Sequence, residues 1–208
     1  LKGAGELFLI DLGFGKERLG GSSLHQVHGI IDSDVPRLDK SSDLSLFFYF
    51  IQELLKEKII TAYHDKSDGG LFATLSEMAF AGNTSIEINK SLERYFDESR
   101  LIKFFFNEEL GAVLEVHKSN IDIFYQLALK NNVDHLIVPL GKSKKESIPM
   151  LRIKTFKNIF YPISVLRKYW SKLSFDIQNI RDNSAMAKQE YLNKINSHKK
   201  NIIPKDKL

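Results

Sequence analysis

Nine residues, Tyr63-His64-Asp65-Lys66-Ser67-Asp68-Gly69-Gly70-Leu71, limit the folds open to this chain more than any other stretch. They join an apolar, β-branched run, Ile59-Ile60-Thr61-Ala62-Tyr63, to a run of good helix formers from Leu71 to Ala81. The first run reads as the end of a buried strand and the second as a helix. Paired glycines permit positive φ and let the backbone come close to a ligand. A helix N-terminus offers an anion unpaired N–H groups and a positive partial charge. Asp65 ends the strand, where α/β proteins commonly place a metal-binding or catalytic carboxylate. The stretch outlines a phosphate and Mg²⁺ site. On the other reading, Ser67 or Asp68 caps the helix and the glycines only make the turn.

Upstream, Glu6 to Leu12 is a continuous apolar strand of the kind covered on both faces. It leads to Gly15-Lys16, which is followed by Glu17 and so fails the Walker spacing. Gly20-Gly21-Ser22-Ser23 opens a short helical segment and is the better candidate for close ligand approach, or a tight turn with a Ser cap. A loop over 32–43 precedes a helix in which Leu44, Phe47, Phe48, Ile51, Leu54 and Leu55 form the expected core stripe. The helix after the nine-residue block ends at Gly82, which is expected to supply its C-terminal turn. A half-buried strand over 84–88 follows, then an amphipathic helix from Tyr95 to Phe106.

Asn107-Glu108-Glu109-Leu110-Gly111 interrupts that helix before a strand from Ala112 to Val116. Its paired glutamates read either as metal or ligand contacts or as a solvated turn. Residues 121–129 suggest a helix, 135–140 a strand, Gly141 to Glu146 a Lys-rich turn, and 148–154 a further strand. The alternation predicts an α/β (α+β) fold with a mixed sheet covered by helices, over residues 1–160. Past Pro162, Val165, Leu166, Tyr169, Trp170, Leu173, Ile177 and Ile180 form a long helical stripe, with a second, more polar helix from Met186 to Ile195. Residues 161–196 therefore read as a helical connector, and 197–208 as a linker or disordered tail.

At 208 residues and 43% hydrophobic the chain can bury a core, and it has no apolar run of membrane-spanning length. It opens on Leu1 rather than Met, which suggests a piece of a longer protein. The absence of cysteine excludes disulfides and a cysteine nucleophile within these residues and fits a cytoplasmic setting. A net charge of +4, spread over Lys-rich connections and the tail, gives no nucleic-acid face. Of the six histidines, only His64 adjoins a carboxylate and a glycine turn; it is a candidate acid/base or an orienting or structural hydrogen-bonding group. His25 and His28 have a spacing that can support a metal, without an acidic third ligand nearby.

Several of these windows occur in order in one family. Leu7 to Gly13, Leu19-Gly20-Gly21-Ser22, Ala62 to Leu71, Leu75 to Gly82, Phe106 to Val113 and Arg181-Asp182-Asn183 together resemble the phosphoribosylformylglycinamidine synthases of the large, single-chain type. The His-Asp-x-Ser-Asp-Gly-Gly and Phe-Asn-Glu-Glu-Leu-Gly blocks make the resemblance specific, and it covers nearly the whole chain.

The resemblance implies the C-terminal α/β domain of the second synthetase half, related to aminoimidazole ribonucleotide synthetase. The implied activity is an ATP-dependent carbon–nitrogen ligase of purine biosynthesis. It uses glutamine as amide donor to convert formylglycinamide ribonucleotide to formylglycinamidine ribonucleotide. The implied cofactors are Mg²⁺ and ATP or ADP, with Asp65 matching a metal position and Ser67 a nucleotide contact. Gly20, Gly21, Ser22, Gly69 and Gly70 are candidate ligand contacts. No catalytic residue is implied within the chain. The implied partners are an N-terminal synthetase half and a glutaminase domain of the same enzyme, with no membrane. Two other readings are a purely structural interface domain and a complete small enzyme. Lys66 stands where close relatives usually have Arg, and His25 where they usually have Ala; the roles of both, and of Glu108 and Glu109, are not implied.

Overall fold

The computed structural model describes residues 1–94 and 97–196. The elements are β1 (Gly5–Asp11), α1 (Ser23–Val27), α2 (Ser41–Lys56), β2 (Ile60–Asp65), α3 (Gly70–Gly82), β3 (Ser85–Ile88), α4 (Leu101–Phe106), β4 (Gly111–His117), α5 (Ile121–Lys130), β5 (Ile137–Lys144), β6 (Met150–Lys154), β7 (Asn158–Pro162), α6 (Ile163–Arg181) and α7 (Ser184–Ile195). Seven strands form one mixed sheet in the order β2-β4-β1-β5-β3-β6-β7, with β3–β6 its parallel pair.

The unbroken apolar run of β1 has the structural consequence expected of it. Leu7 and Leu9 join a core under α3, α4 and the start of α6, while Phe8 and Ile10 join a second core under α2 and α5. A strand that is apolar on both faces does not fix its own register, because a one-residue slip still buries apolar side chains. Glu115, fully buried in β4, supplies the missing specification. Its carboxylate accepts from the N–H of Lys2 (2.7 Å) and Gly3 (3.0 Å), from Thr61 Oγ1 (2.8 Å) in β2, and from the Ser143 hydroxyl in β5. One charge thus aligns three neighbouring segments with β4.

Four expectations are corrected. β2 is an edge strand, so Tyr63 is exposed rather than buried. α2 packs through Phe50, Ile51 and Leu54, which turns Leu44, Phe48 and Leu55 outward. The left-handed residue after α3 is Asn83 (φ 47°); Gly82 still belongs to the helix and lies against the Leu1 carbonyl, where a Cβ would sit 2.4 Å away. Residues 141–144 extend β5 instead of turning: buried Gly141 and Ser143 alternate with outward-facing Lys142 and Lys144. β7, unassigned by sequence, spans the expected junction at residue 160. Of the expected helix over 95–106, the Leu101–Phe106 part is helical and Tyr95 and Phe96 lie outside the described residues, as does the tail.

Candidate functional site

The nine-residue block turns at the end of β2. Glycine is required there on two counts: Gly69 and Gly70 have φ of +81° and +65°, and a Cβ on Gly70 would lie 2.6 Å from the Asn107 carbonyl oxygen. Alternation along the strand end sends Lys66 inward and leaves Asp65 and Ser67 exposed beside it. One Asp65 oxygen accepts from the Tyr63 hydroxyl. Burial, and then the hydrogen bond and charge of Asp65, push that hydroxyl's pKa upward. His64 Nδ1 lies 2.7 Å from the Asp65 carbonyl oxygen. Its Nε2 is 3.0 Å from Glu77 of α3, and Glu77 also accepts from Trp170 Nε1 of α6 at 2.7 Å. His64 thus ties β2 to α3.

The second glycine turn reaches the same place from β1. Asp11 ends β1 and accepts from the N–H groups of Gly13 (3.0 Å) and Gly15 (2.8 Å). Gly20 donates to the Asp34 carbonyl at 2.9 Å, and a Cβ there would lie 2.7 Å from that oxygen. Ser22 caps α1 by accepting from His25 N–H at 3.3 Å. His25 is buried and His28 exposed, so the pair does not converge on a shared ligand.

Between the two turns runs Asn107-Glu108-Glu109, and its side chains reach both of them. Asn107 Oδ1 accepts from Lys66 Nζ at 2.8 Å. Glu108 Oε1 accepts from the N–H of Ser23 (2.9 Å) and of Gly69 (2.8 Å). Glu109 takes Arg18 in a two-point pair. Neither glutamate belongs to a solvated turn. Lys66 is enclosed, and burial lowers its pKa against the opposing pull of Asp11, Glu109 and Glu17. The nearest of these, Asp11 Oδ1, is 3.9 Å away.

The structure therefore brings Asp65, Ser67, Gly69, Gly70 and the Ser22–Ser23 turn around one rim, with Gly20 and Gly21 just behind. Sequence reasoning did not find Arg18, the Lys66–Asn107 contact or the Tyr63–Asp65 contact. Those of Arg18 and Lys66 join residues far apart in the chain and leave no local pattern. Asp65 Oδ2 and the Ser67 hydroxyl have no partner among the described residues, which suits them to an external ligand. No group of three or more His, Asp or Glu side chains among the described residues is arranged to hold a metal ion. Asp65 is an exposed carboxylate at this rim.

Residues 9–137 match the family model described as AIR synthase related protein, C-terminal domain. The chain is 39% identical over 193 residues to phosphoribosylformylglycinamidine synthase of Schizosaccharomyces pombe, covering 92% of this chain and 14% of that protein. It spans far less than the length of that curated relative. The fold is similar to that of T. maritima PurL complexed with ATP (TM-score 0.57, 13% identity, 80% of this chain and 26% of that one). It is equally similar to T. maritima PurL complexed with FGAR (TM-score 0.57, 14% identity, 80% and 28%). With well over half its length matched by one family model, the chain belongs to the AIR synthase related C-terminal domain family.

Proposed function

We propose that this chain is one part of a phosphoribosylformylglycinamidine synthase. That enzyme is an ATP-dependent ligase that aminates formylglycinamide ribonucleotide with nitrogen from glutamine. The observation that carries the proposal is 39% identity sustained over 92% of the chain. The reading brings with it a cytoplasmic setting, an N-terminal synthetase half and a glutaminase domain on the same polypeptide, and a role for α6 and α7 as connector.

In this reading Asp65 is a Mg²⁺ ligand and Ser67 a nucleotide contact, each with an exposed oxygen at the rim. Bound Mg²⁺ would neutralise phosphate charge there. The chain's own part is to hold two oxygen ligands at the edge of a rigid sheet. Their positions are set by Lys66, which is anchored between them, and by the Tyr63 hydroxyl on Asp65. The remaining metal ligands would come from another part of the enzyme.

One observation favours a structural interface role instead. The N–H groups of Ser23 and Gly69, the donors a phosphate would use, are already taken by Glu108. Asp65→Asn in the full-length enzyme separates the two readings. Loss of bound nucleotide and Mg²⁺ supports the ligand role, and unchanged occupancy supports the interface role. Tight Mg-ADP binding by the isolated chain would contradict a shared site.

A further inference from the structure

Residues 107–109 are left without a role by the proposed reaction, yet their side chains reach every segment of the rim. We infer that Asn107-Glu108-Glu109 is the positioning device of this site, with Glu108 as an internal anion that couples the two glycine turns. The nucleotide part of this inference rests on the function proposed above; the coupling of the turns does not.

Glu108 Oε1 accepts from Ser23 N–H at 2.9 Å and Gly69 N–H at 2.8 Å, so one oxygen joins backbone groups 46 positions apart in sequence. Gly69 N–H opens the thirteen-residue helix α3, where a negative charge is favourable. Hydrogen bonds to an ionised acceptor are about twice as strong as neutral ones. A single carboxylate therefore fixes the distance between the Ser22–Ser23 turn and the Ser67–Gly70 turn.

The alternative is that Glu108 is a plug, occupying a phosphate position and swinging out when nucleotide arrives. Its surroundings oppose that. On one side Asn107 is 3% exposed and holds Lys66. On the other, Glu109 is 1% exposed and holds Arg18. Gly70 sits against the Asn107 carbonyl with no room for a Cβ, and Lys66 N–H donates to the Gly111 carbonyl at 2.8 Å. The backbone that carries Glu108 is clamped before and after it. Glu108 is thus a positioning residue: it aligns the turn that carries Ser67 and, through the neighbouring strand end, Asp65.

The test begins with this chain and needs no ligand. In Glu108→Ala, amide hydrogen exchange at Ser23 and Gly69 should accelerate together, roughly tenfold or more, while core amides of β1 and β4 keep their protection. Glu108→Gln, which retains an acceptor oxygen, should restore part of the protection at both. Independent behaviour of the two amides, or no change at either, overturns the coupling.

In the full-length enzyme, Glu108→Ala should lower Mg-ADP occupancy more than Glu115→Ala, a control that weakens the same domain away from the rim. Equal losses in step with thermal stability would reduce Glu108 to a purely structural role. Tighter nucleotide binding would establish the plug instead. If the unmutated enzyme holds no nucleotide, the ligand role proposed for Asp65 and Ser67 fails, and the exchange experiment still decides the coupling.

Discussion

Glu109 and Arg18, 91 positions apart, form a two-point ion pair in which Nε lies 2.5 Å and Nη2 2.7 Å from the carboxylate oxygens. Both side chains are almost fully enclosed, and Arg18 N–H adds a third bond to the same carboxylate at 3.0 Å. Removing one partner of a buried pair strands the other charge and typically costs about 3–5 kcal/mol, whereas replacing both by apolar groups costs much less. Glu109→Leu and Arg18→Met should each lower stability by roughly 3 kcal/mol, and Arg18→Met with Glu109→Leu by clearly less than the sum. Urea unfolding of the four proteins closes the cycle; additive losses would show that the two charges are not coupled.

The two glycine turns should respond differently to a methyl group. At Gly21 (φ +73°) nothing lies within 4 Å of the place a Cβ would occupy, so Gly21→Ala meets only backbone strain of about 1–2 kcal/mol. At Gly70 the same strain is joined by a 2.6 Å approach to the Asn107 carbonyl oxygen. Gly70→Ala should destabilise the domain well beyond Gly21→Ala in thermal melts. A smaller loss at Gly70 would mean that residue 107 yields easily, contrary to the clamp described above.

Acid should loosen the N-terminal segment through Glu115. Burial pushes its pKa up, but the bonds from Lys2, Ser143, Thr61 and Gly3 together outweigh burial and hold it below the ordinary glutamate range. A carboxyl depressed in the folded state contributes stability above its unfolded pKa of about 4.3, and that stability is lost as pH falls through the folded value. Stability measured by denaturant midpoint should therefore fall below about pH 4, and Glu115→Gln should flatten that slope while lowering the neutral plateau. A wild-type acid limb that survives the substitution unchanged would assign it to other carboxylates.

The long apolar stripe of α6 contributes little to this domain's own stability. Leu173, Ile177 and Ile180 are 70%, 52% and 87% exposed. Leu173→Gln and Ile177→Gln should each shift the unfolding free energy by no more than about 0.5 kcal/mol. A loss of several kcal/mol would show that the stripe is packed in this chain after all.

Legibility in the sequence followed the range of the interaction. The double-faced strand β1 and the strand–turn–helix around Asp65 are local patterns, and both were readable. So was the Ser22 cap, because capping is decided within one helical turn. Edge position is not local: nothing in Ile60–Asp65 shows that only β4 pairs with it. In 141–144, glycine and serine supply the small inward faces of a strand, yet in sequence they resemble a Lys-rich turn. The Asn-Glu-Glu segment was readable as a motif but not as a hub, since its partners Lys66, Ser23, Gly69 and Arg18 are identified only by the fold. One missed signal was available. Glu115 interrupts Ala-Val-Leu-Glu-Val, and a charge inside an apolar strand demands buried partners.

The central place of β1 also sets an order of events. Its register runs from Gly5 against His117 on one side and from Glu6 against Lys142 on the other. During synthesis β1 therefore leaves the ribosome well before β4, its first partner, and β5 arrives later still. Such long-range closure is slow and leaves a sticky apolar strand waiting. The step most exposed to misfolding is thus the wait of Leu7–Ile10 for β4 and β5, and a chaperone that acts on this chain would find its substrate there.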